Sequence, residues 1–501
     1  MQKRAIGLET ELSVLEFPRF KKENFVLRCG MESGDLIHNI EKIMEYEQLT
    51  PSHAYCTNSY GFLFNGGRCY KDRNYLELAT PECSSVEELI DYEKAMEASL
   101  IFILKKNNEM VVAAADKNSP IKNSFFEASK KSTDFQASTG SAGSHENYHI
   151  ELTDECKSVM LDPSNSVRNA LLLPYLLSRV FFVGSGHLDN NGFFLASPRL
   201  LLTETLFSDN PKRPLLIRKE ESGDVDENHA RLQIMLSDAN MSSFCVKFRF
   251  GPTHIILRMI EEGFLKKPFV DLDNKQQSSL AAAEGNIFKT CLLSNKQRAS
   301  FLEINQLYFA HARKFFETRF RSEEEEKIMK MWEECLDNAL KNQTFFDKIV
   351  DWRIVYRFLT CVLERKYDLS WEDLRSGLNA PDFKIREQAK NILKTLQALN
   401  LRYFFLTDNR IRQILKETGF LDESLKLPED YLNSDLRFKP PHTRAEWRFK
   451  VLKYFSNPQL ASKYRLTVNW GIINTSERYS FGKPVHLKKL DPLDTVFISP
   501  F

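Results

Sequence analysis

The segment Gly7-Leu8-Glu9-Thr10-Glu11, near the start of the chain, constrains the fold more than any other stretch. As a β-strand it places alternate side chains on one face, so Glu9 and Glu11 point together into one cavity. Two carboxylates held that close repel each other unless a cation neutralises them. Mg²⁺ prefers carboxylate oxygens and often bridges them to phosphates. A solvated strand face is the alternative interpretation.

A second segment shows the same spacing. Arg68, Tyr70 and Asp72 follow the Gly66-Gly67 turn at alternate positions, so a strand there presents all three on one face. Arginine is a common ligand of phosphate groups. Together with the tyrosine and the carboxylate, it could line a site for a nucleotide and a metal. The polar outer face of an ordinary sheet would show the same alternation.

Two further polar clusters stand at the ends of predicted strands. The first is Ser144-His145-Glu146-Asn147-Tyr148, which follows a small flexible loop and lacks the H-E-x-x-H spacing of a metalloprotease. The second is Ser237-Asp238-Ala239-Asn240-Met241. Hydrogen bonding at a strand edge and a simple Asx turn are the plain interpretations of these clusters.

Composition excludes several classes of protein. The 501 residues, 42% hydrophobic and 27% charged, are typical of a soluble globular protein with more than one domain. With 69 basic and 68 acidic residues, a nucleic-acid partner held by bulk charge is not expected. The most apolar run, from Leu171 to Val183, is too short to span a membrane and predicts a buried helix. Nine cysteines without a C-x-x-C pair, and no signal-like segment, indicate the cytoplasm.

Periodicity predicts strands first and helices later, which is the α+β class. Predicted strands cover residues 68–72, 147–152, 214–217 and 230–236. Predicted helices cover residues 35–47, 85–106, 253–263 and 322–341, and residues 117–144 are predicted to be a loop. After Pro440-Pro441 a helix carries Arg444, Arg448, Lys450 and Lys453, and strands follow around 466–473 and 484–487. The basic face of that helix is predicted to be solvated, with an acidic partner chain as the alternative.

Taken in order, these segments resemble the family of Pup ligases and depupylases (deamidases of Pup), which is related to glutamine synthetase and other carboxylate-amine ligases. The similar segments are Gly7–Glu11, Asn65–Asp72 with Glu77–Cys83, Gly143–Tyr148, Asp238–Met241, Val468-Asn469-Trp470 and Asp491-Pro492. The chain departs from the family in a shorter spacing between Asp72 and Glu77 and a longer loop before Ser144. It also lacks a histidine in the segment 218–223, which leaves Lys219 and Glu220 without a clear role and indicates a divergent member.

The resemblance implies a large glutamine-synthetase-like domain at residues 1–435, whose curved antiparallel sheet cradles ATP and Mg²⁺ under a cover of helices, and a small C-terminal domain at residues 436–501. It also implies roles for individual residues. By position these are Glu9, Tyr70 and Glu77 for the metal, Arg68, Thr80 and Trp470 for the nucleotide, and Asp72 for catalysis. Further candidates for direct or supporting contacts are Glu11, His145, Glu146, Asn147, Arg231, Asp238 and Asn240.

The implied chemistry is the activation of a carboxylate by ATP. The C-terminal glutamate of a Pup-like protein modifier takes the γ-phosphoryl group, and a substrate lysine then attacks the acyl phosphate while Asp72 accepts or orients its proton. Isopeptide cleavage by a depupylase, a non-catalytic relative and a small-molecule ligase are the alternatives. Glu9-Thr10-Glu11 is similar to the ligase branch, whereas Gly143-Ser144-His145 is closer to the depupylase. Ligation is the favoured direction, with no nucleic-acid or membrane partner.

Overall fold

The structure is a computed structural model, and it describes residues 4–18, 28–29, 62–72, 75–113, 124–131, 143–160, 166–202, 205–207, 214–218, 228–455, 464–468, 472–477 and 486–489. The helix predicted at 35–47, and Lys219, Glu220 and Trp470, lie outside these ranges. Among the described residues, no helix combines the length and the apolar character needed to cross a bilayer.

A mixed sheet of nine strands forms the centre of the described structure, and it is antiparallel except for one parallel pairing, between the last two strands of its order. Its strands, and those of three small sheets, are β1 (Ile6–Pro18), β2 (Arg28–Cys29), β3 (Arg68–Asp72), β4 (Tyr75–Ala79), β5 (Ser124–Ser129), β6 (Ser144–Glu151), β7 (His187–Leu188), β8 (Phe194–Leu195), β9 (Thr205–Phe207), β10 (Pro214–Arg218), β11 (His229–Ser237), β12 (Thr290–Leu292), β13 (Arg298–Ser300), β14 (Tyr464–Val468), β15 (Ile472–Glu477) and β16 (His486–Lys489). The main order is β3-β4-β1-β6-β11-β10-β9. Strands β2 and β5 pair with the C-terminal half of β1.

Helices dominate the second half of the chain, as the sequence predicts. They are α1 (Val86–Ala113), α2 (Asp154–Met160), α3 (Ser166–Ser178), α4 (Val180–Val183), α5 (Ser243–Glu261), α6 (Lys275–Ala283), α7 (Phe301–Phe316), α8 (Glu323–Lys341), α9 (Asp351–Tyr367), α10 (Trp371–Leu378), α11 (Phe383–Tyr403), α12 (Arg410–Glu417) and α13 (Arg444–Phe455). Short 3₁₀ turns occupy Pro198–Leu202, Gln343–Lys348, Pro428–Tyr431 and Asp435–Arg437. Strands followed by helices confirm the predicted α+β class.

The central strands alternate between two faces. Leu8, Tyr148 and Leu232 belong to one buried core together with residues of α1, α3 and α5. Their strand neighbours Glu9 and Arg231 lie on the other face and stay partly accessible. The helices therefore cover one side of the sheet, and the polar side remains available for a ligand.

Two of the predicted elements are wrong in extent. Residues 117–144 are not all loop, because β5 pairs with β1 from Ser13↔Ser129 to Pro18↔Ser124. Their Ser- and Lys-rich composition hid this strand. The helix predicted to begin at Thr253 begins ten residues earlier as α5, with Pro252 inside it. Proline usually interrupts a helix, but buried apolar residues on both sides hold this one in place.

The C-terminal helix also corrects an expectation. Arg444 and Arg448 of α13 do not form a solvated face, because both are buried and pair with Glu82. Lys453 is exposed, as predicted. Strands β14–β16 form a sheet of their own, and the division of the chain at residues 435 and 436 stays a prediction.

A buried ionic cluster fixes the sheet to the helical layer. Glu146 of β6 pairs with Arg179, which stands between α3 and α4, and with Arg249 of α5 at 3.2 Å. All three side chains are fully buried. Arg179 also donates to Thr253 at 2.7 Å, so the charges are satisfied by further hydrogen bonds.

The substitution Glu146→Gln is expected to lower the free energy of unfolding by roughly 3–5 kcal/mol, because it leaves two buried guanidinium groups without their carboxylate. Urea titration followed by circular dichroism measures this change. The control Glu151→Gln, on the same strand but partly exposed, is expected to cost less than about 0.5 kcal/mol. Equal effects of the two substitutions would contradict this account.

Candidate nucleotide and metal site

The register of the sheet places the predicted site residues in rows across its polar face. In the first row Ala79 of β4 pairs with Arg68 of β3 and with Glu9 of β1, and Glu9 pairs with His145 of β6. The small Ala79 thus separates the arginine from the carboxylate. This row confirms that the opening strand and the strand after the Gly-Gly turn share one face.

The second row lies one step along the same strands. Glu77 of β4 pairs with Tyr70 on one side and with Glu11 on the other. Glu11 is tied to the end of the loop before β6, because its Oε2 accepts a hydrogen bond from the amide of Gly143 at 2.6 Å. One Glu11 oxygen is therefore already engaged, and its role as a metal ligand stays a prediction.

Glu9, Glu77 and His145 converge where the two rows meet. Each can offer one ligand atom, and these atoms lie within 4.8 Å of one another. The Glu77 and His145 side chains are buried, and that of Glu9 is only 12% exposed. Two carboxylates at this separation suit a hard divalent cation, since Mg²⁺ is bound in proteins through one or two carboxylates and further oxygen ligands.

Glu9 is held as a carboxylate by its neighbours. Arg231 donates to its Oε1 at 3.0 Å, and Gln233 donates to its Oε2 at 2.7 Å. Burial alone would raise the pKa of Glu9, but Arg231, His145 and Gln233 together lower this pKa from 4.5 to about 2. The group is therefore ionised and oriented before any cation binds.

Arg68 and Tyr70 lie beside this carboxylate cluster and form one wall of the candidate site, called here the Arg68–Tyr70 wall. The Arg68 guanidinium lies 4.4 Å from the centre of the Tyr70 ring, and Phe62 contacts it at 5.2 Å. Burial, and then the charges of Glu77 and Glu9, raise the pKa of Tyr70, so its hydroxyl stays neutral. The tyrosine can offer an oxygen lone pair and the arginine a positive charge.

A cavity opens on this face beside Glu9. It encloses about 590 Å³ including the solvent at its mouth. Its polar lining residues are Glu9, Thr80, Glu82, Asn147, His149, Arg231 and Arg444. Because Gly7 has no side chain, the floor of the cavity stays open between Thr80 and Asn147.

The remaining predicted residues take different positions. The Thr80 hydroxyl lines the cavity and accepts a hydrogen bond from the amide of Leu8 at 3.0 Å. Asp72 closes β3 by pairing with Tyr75, and its side chain lies outside the described part of the structure. Arg231 donates to Asn147 at 3.0 Å, which joins two of the further candidates.

Three further candidates lie behind the polar face. Glu146 belongs to the buried cluster with Arg179. Asn240 donates to Asp351 at 3.0 Å and is almost fully buried. Asp238 accepts from Ser197 at 2.7 Å, and burial raises its pKa. These groups hold the layer beneath the site and do not line the cavity.

Sequence reasoning missed several residues that line the cavity or contact Glu9. Gln233 and His149 face the site because they alternate with buried residues along β11 and β6, a signal that was available in the sequence. Arg444 and Glu82 meet only through the tertiary fold.

The C-terminal helix is attached to the strand that carries Arg68. Arg448 donates to the carbonyl of Gly66 at 2.9 Å and to Glu82 Oε1 at 2.9 Å. Gly66 has φ +83°, and a Cβ there would lie 2.6 Å from the Cβ of Ala445. Only glycine therefore fits this turn, and α13 fixes the start of β3.

The family to which the chain belongs agrees with the α+β cradle and the carboxylate cluster on its open face. The sequence profile of the family described as Pup-ligase protein matches residues 4–473, and the chain belongs to this family.

The chain is similar to named relatives over most of its length. It is 27% identical over 378 residues to a Pup–protein ligase of Kineococcus radiotolerans, covering 74% of this chain and 76% of the relative. It is 26% identical over 420 residues to a Pup–protein ligase of Mycolicibacterium vanbaalenii, covering 82% of this chain and 85% of the relative.

Two solved structures share the fold. The complex of the prokaryotic ubiquitin-like protein Pup with its ligase PafA aligns with a TM-score of 0.73 at 20% identity, over 99% of this chain and 90% of that chain. PafA in complex with ADP aligns with a TM-score of 0.67 at 21% identity, over 95% of this chain and 94% of that chain. The fold is thus glutamine-synthetase-like, as the sequence resemblance implied.

The contact between α13 and Glu82 predicts a pH-dependent stability. Burial would raise the pKa of Glu82, but Arg448 and Arg444 lower this pKa from 4.5 to about 2. The stabilisation is therefore complete above pH 4.5 and is lost as the pH falls towards 2. For a group this buried, it is on the order of 3 kcal/mol.

Glu82→Gln is accordingly expected to destabilise the protein most at neutral pH and progressively less between pH 5 and pH 3. Urea unfolding of both proteins across this range measures the difference. The control Glu333→Gln, an exposed position on α8, is expected to change the free energy of unfolding by less than about 0.5 kcal/mol at neutral pH. A difference between wild type and Glu82→Gln that does not shrink in acid would contradict the assignment.

Proposed function

We propose that this chain is an ATP-dependent ligase that joins a Pup-like protein modifier to lysines of protein substrates. The observation that carries the proposal is the convergence of Glu9, Glu77 and the Arg68–Tyr70 wall on one face, beside an open cavity. Membership of the Pup-ligase family and the names of the relatives support the ligase direction. The ADP and Pup complexes of PafA support the nucleotide and the modifier as ligands.

Glu9, Glu77 and Tyr70 would hold Mg²⁺, and the oxygen-rich donor set fits that ion. When bound, Mg²⁺ would neutralise the charge that develops on the phosphates during transfer. Arg68 and Arg231 add fixed positive charge beside the cavity, and Thr80 lines its wall. Trp470 is proposed as a further nucleotide contact from the C-terminal segment.

The chain's own residues supply orientation and proton handling. Arg231 and Gln233 fix both oxygens of Glu9, so little reorganisation is needed when the nucleotide arrives. Asp72, at the end of the strand that carries Arg68 and Tyr70, is proposed to accept or orient the proton of the attacking lysine amine. The amine must be neutral to attack the phosphorylated glutamate side chain of the modifier.

We place the reaction in the cytoplasm, where ATP is abundant and thiols stay reduced. The scattered cysteines agree with this, and those the structure describes as free are mostly buried. The proposed partners are the Pup-like modifier and lysine-bearing proteins. Residues 1–435 are proposed as the catalytic domain and residues 436–501 as a smaller C-terminal domain.

The direction of the reaction is tested by incubating the protein with Mg-ATP, a modifier ending in glutamate and a lysine-bearing protein. Ligation predicts a conjugate mass together with one ADP released per conjugate. Preformed conjugate incubated with the protein tests the reverse direction. Loss of that conjugate without net ATP consumption, and no conjugate formation, would overturn ligation in favour of an isopeptidase.

Asp72→Asn is expected to reduce conjugate formation by about a hundredfold or more, because a general base contributes about 10²–10⁴ in rate. ADP binding by calorimetry is expected to stay within about threefold, since the carboxylate acts on the amine. The control Lys71→Gln alters an exposed neighbour on the same strand and is expected to retain most activity. Unchanged turnover in Asp72→Asn would remove Asp72 from this role.

Glu9→Gln is expected to weaken Mn²⁺-dependent binding of ADP by roughly 10–100-fold, because it removes a charged oxygen ligand. Calorimetric titration of ADP with and without Mn²⁺ measures the effect. Glu151→Gln serves as the control, since it lies on the same face of the sheet but does not line the cavity. Equal metal dependence in Glu9→Gln and wild type would refute the proposed ligand.

A further inference from the structure

A second cavity opens between helix α6 and the β12–β13 hairpin, and it is called here the α6 cleft. It encloses about 760 Å³ including the solvent at its mouth, and it shares no lining residue with the cavity beside Glu9. One wall is a stripe of α6 that includes Gln277, Ser278 and Ala281, and the other is one face of the hairpin. The cleft is therefore a separate candidate site that the proposed function does not use.

The hairpin wall of the α6 cleft carries a guanidinium group. Thr290, Leu292 and Arg298 line this wall, and Leu292 and Arg298 pair directly across the two strands. Arg298 Nε donates to Thr290 Oγ1 at 3.0 Å, which holds the guanidinium against the wall. In the described part of the structure its two Nη atoms make no hydrogen bond, so they are available to a ligand.

The charges of the α6 cleft favour a singly charged anion. The charged residues that line it are Glu284, Lys289 and Arg298, and Lys289 pairs with Glu284. The charge of Arg298 therefore has no carboxylate partner among the lining residues. A guanidinium fork matches the two oxygens of a carboxylate. A phosphate dianion would bring a second negative charge into a cleft that already holds Glu284.

The remaining lining favours an apolar body attached to that carboxylate. Leu280 and Ala281 of α6 line the cleft together with Leu292 of the hairpin. The Leu280 side chain is 44% exposed, so a ligand in the cleft can remove apolar surface from water. A short aliphatic chain is long enough to extend from the guanidinium over these side chains.

We propose that the α6 cleft binds a small aliphatic monocarboxylate, with the carboxylate on Arg298 and the chain against Leu280 and Leu292. This site goes beyond the proposed function and does not depend on it, because the two cavities share no residue.

The helix that forms one wall of the cleft is attached to the layer beneath the candidate nucleotide site. The carbonyl of Ala283, the last residue of α6, accepts hydrogen bonds from the amides of Ala196 and Ser197 at 2.8 and 3.2 Å. The Ser197 hydroxyl in turn donates to Asp238, just after β11. A carboxylate in the cleft would thus contact a helix that helps to hold this layer.

Hexanoate is the probe that tests this site, and saturation-transfer difference NMR with the whole chain measures its dissociation constant. We expect hexanoate to bind about tenfold more tightly than acetate, because its longer chain covers the leucine side chains. Hexanamide, which lacks the charge, is expected to bind about tenfold more weakly than hexanoate. Equal affinities of acetate and hexanoate would indicate an adventitious ion only and overturn the proposal. Inorganic phosphate that binds more tightly than hexanoate would also overturn it.

The Arg298→Gln variant locates the carboxylate. Because Arg298 is exposed, this variant is expected to fold, and to bind hexanoate about tenfold more weakly than wild type. The control Lys296→Gln removes an exposed charge from the turn of the same hairpin, outside the cleft, and is expected to bind hexanoate within about twofold of wild type. Equal affinities of Arg298→Gln and wild type would place hexanoate elsewhere and contradict the site.

The Leu280→Asp variant tests the apolar wall. It places a negative charge where the chain of hexanoate is proposed to lie, and it is expected to weaken binding by more than about tenfold. The control Leu340→Asp makes the same change at a leucine of α8 that is 55% exposed and lies outside the cleft, and it is expected to bind like wild type. Circular dichroism checks that both variants fold. Unchanged hexanoate affinity in a folded Leu280→Asp protein would refute the proposed site.

Discussion

The structure depends on holding carboxylates together in a partly buried row without neutralising them. Glu9 and Glu77 face each other across neighbouring strands, where their repulsion and desolvation both oppose ionisation. Arg231 offsets this cost for Glu9 from the next strand but one, and the Arg68 guanidinium lies on the opposite side of the cluster. The sheet register sets these distances, because each group comes from a different strand. A slip of one residue in any pairing would turn a charge towards the apolar core.

Two buried ion-pair clusters connect the strands of the candidate site to the rest of the fold. Behind the sheet, Glu146 ties β6 to the helical layer through Arg179 and Arg249. Beside the cavity, Glu82 ties the end of β4 to α13 through Arg448. In the second cluster Arg448 also donates to the carbonyl of Gly66, just before the strand that carries Arg68 and Tyr70. The C-terminal helix is therefore part of the scaffold that positions the candidate site.

The sequence predicted the parts of the site that depend on local alternation. Strand periodicity alone placed Arg68 and Tyr70 on one face, and the register confirms it. Family resemblance added Glu77, which no local pattern had singled out. The predictions that were wrong concern contacts between distant segments. Arg448 was predicted to be solvated, because its partner Glu82 lies hundreds of positions away in the sequence. Composition likewise hid β5, since its pairing with β1 is a tertiary property.

The hydrogen bonds around Glu9 show how the fold orients a carboxylate before any ligand arrives. Gln233 and His145 approach Oε2, and Arg231 approaches Oε1, so the carboxylate is fixed in place by donors and not by the cation. Such a frame offers lone pairs at set positions and little freedom to adapt. A rigid set of oxygens suits the proposed Mg²⁺, which demands near-octahedral geometry. The neighbours that orient Glu9 therefore belong to the candidate site as much as the carboxylate itself does.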